Sequence, residues 1–123
     1  MKTMICMFAF MLSVLSMQAG DITMIVNAFK EGKATENMNF MDSEVDIAVP
    51  GTSTKVSGAD AVVLLNSFFD SIKPTGFTVL HQADKNDTGF LVGKLTSNSG
   101  EYRVNITYGT KENKVLIQSI RIE

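Results

Sequence analysis

His81 is the single histidine of the chain, and imidazole is the side chain whose unperturbed titration falls near neutral pH. On an alternating strand, Phe77, Val79 and His81 share a face, which turns the imidazole the same way as bulky apolar residues. There it can move a proton as a general acid or base, or line the rim of a pocket. Acid–base work also wants an orienting carboxylate, and the nearest in sequence, Asp84, falls in a turn. The expectation is therefore a ligand-contacting His81 without catalysis, and no catalytic residue is assigned. Phe77 beside it, with Tyr102 and Arg121 on later strands, completes the expected ligand-contacting set.

Other chemistry finds less support. Arg103 and Arg121 can lie close enough to grip a carboxylate together, or pair across strands with Glu101 and Glu123 as surface charges. Asp42, Glu44 and Asp46 recur at every second residue and share one strand face. Oxygen ligands so placed can hold a cation, but the glycine and distant glutamate of a calcium loop are missing. The favoured account is the solvated side of an edge strand, where charge discourages edge-to-edge pairing. Zinc needs three or four ligands, and one histidine with one cysteine does not supply them. A nucleophile turn and a phosphate-cradling glycine loop are both absent from the sequence. No metal and no cofactor is expected. With a net charge of −2 and no basic run, nucleic acid is not expected as a partner.

The elements that must position these residues fit one domain in 123 residues. Met1-Lys2 is a short cationic start, Met4 to Leu15 is almost unbroken apolar chain, and Ala19 stands before Gly20. That order is a secretory signal peptide over residues 1–19, and its apolar run is short of the roughly 20 residues of a membrane span. An uncleaved anchor is the alternative. Removal leaves residues 20–123 as the mature domain, one unit more acidic because Lys2 departs. The single cysteine, Cys6, departs too, so the hydrophobic core alone must hold the mature fold. The expected location is periplasmic or extracellular, with no membrane contact once the signal is gone.

Asp21 opens an amphipathic helix carrying Ile22, Ile25, Val26 and Phe29, ended near Gly32. A short second helix follows, with Ala34, Met38 and Met41 on one side. Glu44 to Val49 alternates as a strand, Pro50-Gly51 turns, and Thr52 to Val56 returns. Ser57 caps a long helix to Lys73, with Asp60 three residues on. Its stripe is Ala61, Leu64, Leu65, Phe68 and Ile72, widened by Val62 and Phe69. Four strands then follow, around Phe77 to Gln82, Gly89 to Thr96, Tyr102 to Tyr108, and Val115 to Ile122. Short loops between them make consecutive strands antiparallel neighbours.

That order resembles the nuclear-transport-factor-2-like superfamily, the cystatin-like α+β rolls. The Phe68-Phe69 pair, Phe77 to Gln82, Gly93-Lys94-Leu95, Tyr102-Arg103-Val104 and Ile117 to Ile122 are similar to a group of small exported bacterial domains of unknown function within it. The resemblance implies N-terminal helices and one long helix packed on a curved antiparallel sheet that ends in a four-stranded meander. It also implies a pocket between long helix and sheet. Some members of the superfamily are enzymes and others only bind, and fold alone does not choose.

The leading expectation is an exported, non-enzymatic domain binding a small apolar ligand or a protein partner. The alternatives are a dehydratase- or isomerase-like enzyme with His81 in the pocket, and a purely structural homodimer. A homodimer through the sheet face is expected in any case, because the strands carry apolar residues on both faces, Leu80, Leu91 and Leu95 against Phe77, Phe90 and Val92. Protein recovered from the periplasm or medium is expected to have an intact mass lacking about nineteen residues. A full-length mass in a membrane fraction is the opposite result.

Overall fold

The computed structural model describes residues 21–85 and 87–123, so the expected signal peptide lies outside the described residues. Helix α1 occupies residues 21–31 and buries Ile22, Ile25, Ala28 and Phe29. Gly32, at φ 68°, ends it: its N–H reaches the Phe29 carbonyl at 3.3 Å, and the Lys33 N–H reaches that of Ala28 at 2.9 Å. Left-handed backbone at this point satisfies carbonyls that the last turn leaves open.

The short second helix is a 3-10 helix, Ala34–Phe40. Its buried residues are Ala34, Asn37 and Phe40, while Met38 is exposed and Met41 already begins a strand. Asn66 from the long helix holds it in place, accepting from the Ala34 N–H at 2.8 Å and donating to Thr35 Oγ1 at 3.0 Å. Asn37 is fully buried, and among the described residues neither of its amide atoms has a hydrogen-bond partner. That costs about 1–3 kcal/mol, which the surrounding apolar packing must offset.

Strands β1 (Met41–Val49) and β2 (Thr52–Ser57) form the hairpin expected around Pro50-Gly51. The long helix α2 (Gly58–Ile72) follows, its N-terminus capped by Ser57 Oγ, which accepts from the Asp60 N–H at 3.2 Å. Lys73 closes it in the left-handed region at φ 54°, and Pro74 cannot continue it. Strands β3 (Pro74–Lys85), β4 (Thr88–Ser97), β5 (Gly100–Lys111) and β6 (Lys114–Ile122) complete the chain.

The six strands lie in the order β2-β1-β6-β5-β4-β3. This curved sheet is mixed, not antiparallel: β1 runs parallel to β6, while the other neighbours are antiparallel. A parallel pair needs a long crossover, and here α2 with β3, β4 and β5 supplies it. The edge strands are β2 and β3, so the carboxylate-bearing strand β1 is interior and the edge-strand account of Asp42, Glu44 and Asp46 does not apply. Solvent still reaches Glu44 and Asp46 on one side of the sheet, while Asp42 is half-buried.

The core lies between the helices and one face of the sheet. Phe29 meets Phe69 edge-on with ring centroids 5.4 Å apart and lies 5.3 Å from Phe77. Phe77 in turn covers Gly93, where any Cβ would overlap the ring. On α2 the sequence order of burial is reversed, since Phe69 is 1 % exposed and Phe68 only half-buried. The helix turns Phe68 towards the sheet margin, where it meets Tyr102 edge-on at 5.4 Å. Phe69→Ala is thus expected to cost about 3–5 kcal/mol, and Phe68→Ala clearly less, in urea denaturation of the two variants. Equal losses would mean that the two rings share one environment.

Candidate functional site

Residues directly opposite each other in a sheet share a face, so the pairings define an inner face against the helices and an outer face away from them. Phe77, Leu95 and Tyr102 oppose one another across β3, β4 and β5, as do Gly93 with Val104 and Leu91 with Ile106, all on the inner face. The outer face carries Phe90 opposite Thr107, Val92 opposite Asn105, and Lys94 opposite Arg103.

His81 belongs to the outer face. Between Val79 and His81 the register with β4 shifts, so that Leu80 and His81 together oppose Val92. Such a bulge inserts one residue and reverses the alternation beyond it. Phe77 and Val79 therefore point one way and His81 the other, contrary to strict alternation. The imidazole is exposed, with its ring 5.4 Å from that of Phe90. Leu80 is 59 % and Phe90 42 % exposed, which makes this end of the outer face an apolar patch. Beyond the bulge, Gln82 and Asp84 point inward, opposite Leu91 and Gly89.

Asp84 lies in β3, not in the turn. Its Oδ1 accepts from the Tyr108 hydroxyl, and Gln82 Nε2 donates to the same hydroxyl at 3.3 Å. Gly89 makes room for the pair, since a Cβ there would meet Tyr108 Cε1 at 2.6 Å and collide with Asp84. Burial first, and the hydrogen bond to Asp84 second, push the Tyr108 phenol up to about 12.

The other end of the outer face is polar. There an open-topped cleft of about 500 Å³ is lined by Asp46, Ser53, Asn105, Thr107, Ser119 and Arg121, with Ala48 among them. Its geometry follows from three pairings: Asn105 opposite Arg121, Thr107 opposite Ser119, and Asp46 opposite Ser119 on the parallel side. Among the described residues the sole ion pair is Lys94 with Glu101 at 3.6 Å, so neither Arg121 nor Asp46 is engaged by an opposite charge. Such a cleft can hold a polar molecule by hydrogen bonds and one guanidinium. Asp46 stands opposite Ser119 there, and among the described residues no hydrogen bond joins the two.

The family described as "Domain of unknown function (DUF4783)" matches residues 22–123. The chain belongs to that family. Among solved structures, a DUF4783 protein from Bacteroides uniformis is 32 % identical with a TM-score of 0.79, covering 82 % of this chain and 94 % of its own. Another from Bacteroides ovatus is 33 % identical with a TM-score of 0.77, covering 80 % and 90 %. An NTF-2 like protein of unknown function from Silicibacter pomeroyi is 12 % identical, with a TM-score of 0.63 over 89 % of this chain and 93 % of that one, a likeness of fold alone. No curated protein matches the chain. The resemblance to domains of unknown function with the nuclear-transport-factor-2-like fold thus holds.

In this DUF4783 domain the four expected ligand-contacting residues do not converge. Phe77 is buried and Tyr102 half-buried on the inner face, both in ring contacts with the helices. His81 and Arg121 are on the outer face, but β4 and β5 separate their strands, a distance of roughly 14 Å at the usual strand spacing. Arg103 and Arg121 are diagonal neighbours, since Arg103 pairs with Glu123 through both backbone hydrogen bonds. The residues that accompany Arg121 carry no binding signature in the sequence: Asn105, Thr107 and Ser119 show there only as polar positions alternating with core ones.

The Tyr108 node gives a pH-dependent expectation. The fold favours the neutral phenol, so its contribution is complete below the ordinary value of 10.0 and is lost as pH rises towards about 12. Urea titrations of the native protein are expected to show this alkaline decline, with Tyr108→Phe less stable by about 1 kcal/mol at neutral pH and lacking that part of the decline. Identical alkaline profiles would rule the node out as its source.

Proposed function

We propose that this DUF4783 domain is an exported, non-enzymatic binding module whose outer sheet face receives a protein partner, and that the partner is a second copy of the chain. The observation that carries the reading is the apolar patch of Leu80, Phe90 and Val92, with His81 laid beside Phe90. Large apolar side chains grouped on an otherwise polar face mark an interaction surface. Around the patch both signs of charge alternate, with Lys94 and Arg103 near Glu101. A two-fold copy can therefore set apolar against apolar and cation against anion. The bulge at Leu80 interrupts the long edge strand β3, which disfavours edge-to-edge pairing and leaves face packing as the route to association. Export rests on the charge–apolar–small order of residues 1–19.

Two observations weigh against the rival readings. A small apolar ligand in the interior would compete with Phe29, Phe69 and Phe77, whose rings occupy the space between helices and sheet. An isomerase-like enzyme built on His81 requires the imidazole on the inner face, and it is exposed on the outer one. Light scattering at micromolar concentration is expected to give a dimer for the native domain and a monomer for the Leu80→Glu, Phe90→Glu double variant, with unchanged circular dichroism. A native monomer throughout the range would remove the proposal.

A further inference from the structure

We propose that the outer-face cleft around Arg121 binds a small hydroxylated carboxylate, a molecule of the sugar-acid class. This inference does not rest on self-association, although the two surfaces adjoin where Val92 stands opposite Asn105. Its basis is the inventory of groups that four strands bring together. Arg121 offers a planar fork of N–H donors, which matches a carboxylate in a bidentate geometry. Arg103 is its diagonal neighbour on β5, at roughly 7–8 Å by sheet geometry. No carboxylate of the described residues lies within ion-pair distance of either guanidinium.

The rest of the lining selects for hydroxyl groups. Asn105 both donates and accepts, the hydroxyls of Ser53, Thr107 and Ser119 do the same, and Asp46 only accepts. A ligand with several vicinal hydroxyls can engage these groups, whereas a bare carboxylate leaves them to water. An amino acid fits less well. Its ammonium would need Asp46, yet Lys55 stands directly across from Asp46 on β2 and offsets that charge. Glu123 stands directly across from Arg103 and offsets its charge, as Lys55 does that of Asp46, so Arg121 is the cation that the cleft itself contributes. The cleft volume of about 500 Å³ accommodates one or two sugar rings within the usual range of small-molecule sites.

The test is a backbone-amide NMR titration of the native domain with glucuronate and galacturonate, and with glucose, galactose and acetate as controls. Saturable shifts at Asn105, Thr107, Ser119 and Arg121 are expected with at least one of the two acids. Binding of the matching neutral sugar and of acetate is expected to be weaker by about tenfold or more, the scale of a charged hydrogen bond. Arg121→Gln is expected to erase the preference for the acid over the neutral sugar, and Asp46→Asn, which removes a like charge and keeps an acceptor, to retain or widen that preference. Both side chains are exposed, so the variants are expected to melt with the native protein. No saturable shift in the cleft with either acid, equal affinity for acid and neutral sugar, or an Arg121→Gln variant that binds as the native protein does would each overturn the proposal.

Discussion

Phe77 lies across Gly93 because that position has no side chain, and the two helices take their places from the same ring. Phe29 rests on Phe77, and Phe69 meets Phe29 edge-on, so one contact chain links α1, α2, β3 and β4. Buried aromatic rings contribute large apolar area and a preferred tilt. They set how closely the helices approach the sheet. A Cβ at Gly93 would displace the ring and loosen all four elements together.

Among the described residues, the exposed polar and apolar groupings lie mainly on the outer face. On the inner face Gln82, Tyr108 and Asp84 form a polar arrangement at the end of the sheet, where side chains tie β3 to β5 across Gly89 of β4. It behaves as a latch: a buried phenol with its hydroxyl satisfied by an exposed carboxylate. The outer face, by contrast, is divided. Its β3–β4 end carries the exposed apolar side chains of Leu80 and Phe90, and its β2–β1–β6–β5 end is polar and concave. Both halves depend on local departures from regular pairing, the bulge at Leu80 and the parallel joint between β1 and β6.

Membership of the DUF4783 family and the nuclear-transport-factor-2-like fold explain the framework without assigning chemistry to it. Function on such a scaffold resides in particular side chains. In this domain those are placed by strand register, and register is a property of pairs of strands.

The sequence by itself determined the α+β class, the Ser57 cap and the apolar stripe of α1, because each depends on periodicity or capping within one segment; on α2 it named the apolar residues but put Phe68 ahead of Phe69. It also placed Tyr102, Val104, Ile106 and Tyr108 on one face, since β5 alternates without interruption. Tertiary structure alone decided where alternation breaks. The extra residue at Leu80 carries no mark in Phe77 to Gln82, yet it turns His81 outward and brings Asp84 inward to Tyr108. Likewise, nothing in Glu44 to Val49 says that β1 will pair in parallel with a strand some seventy residues away. That pairing sets Asp46 beside Ser119 and Arg121, and so creates the cleft. The physical reason is the same in both cases: local propensity is encoded along one strand, whereas register and strand order are fixed by the packing of the whole sheet against its helices.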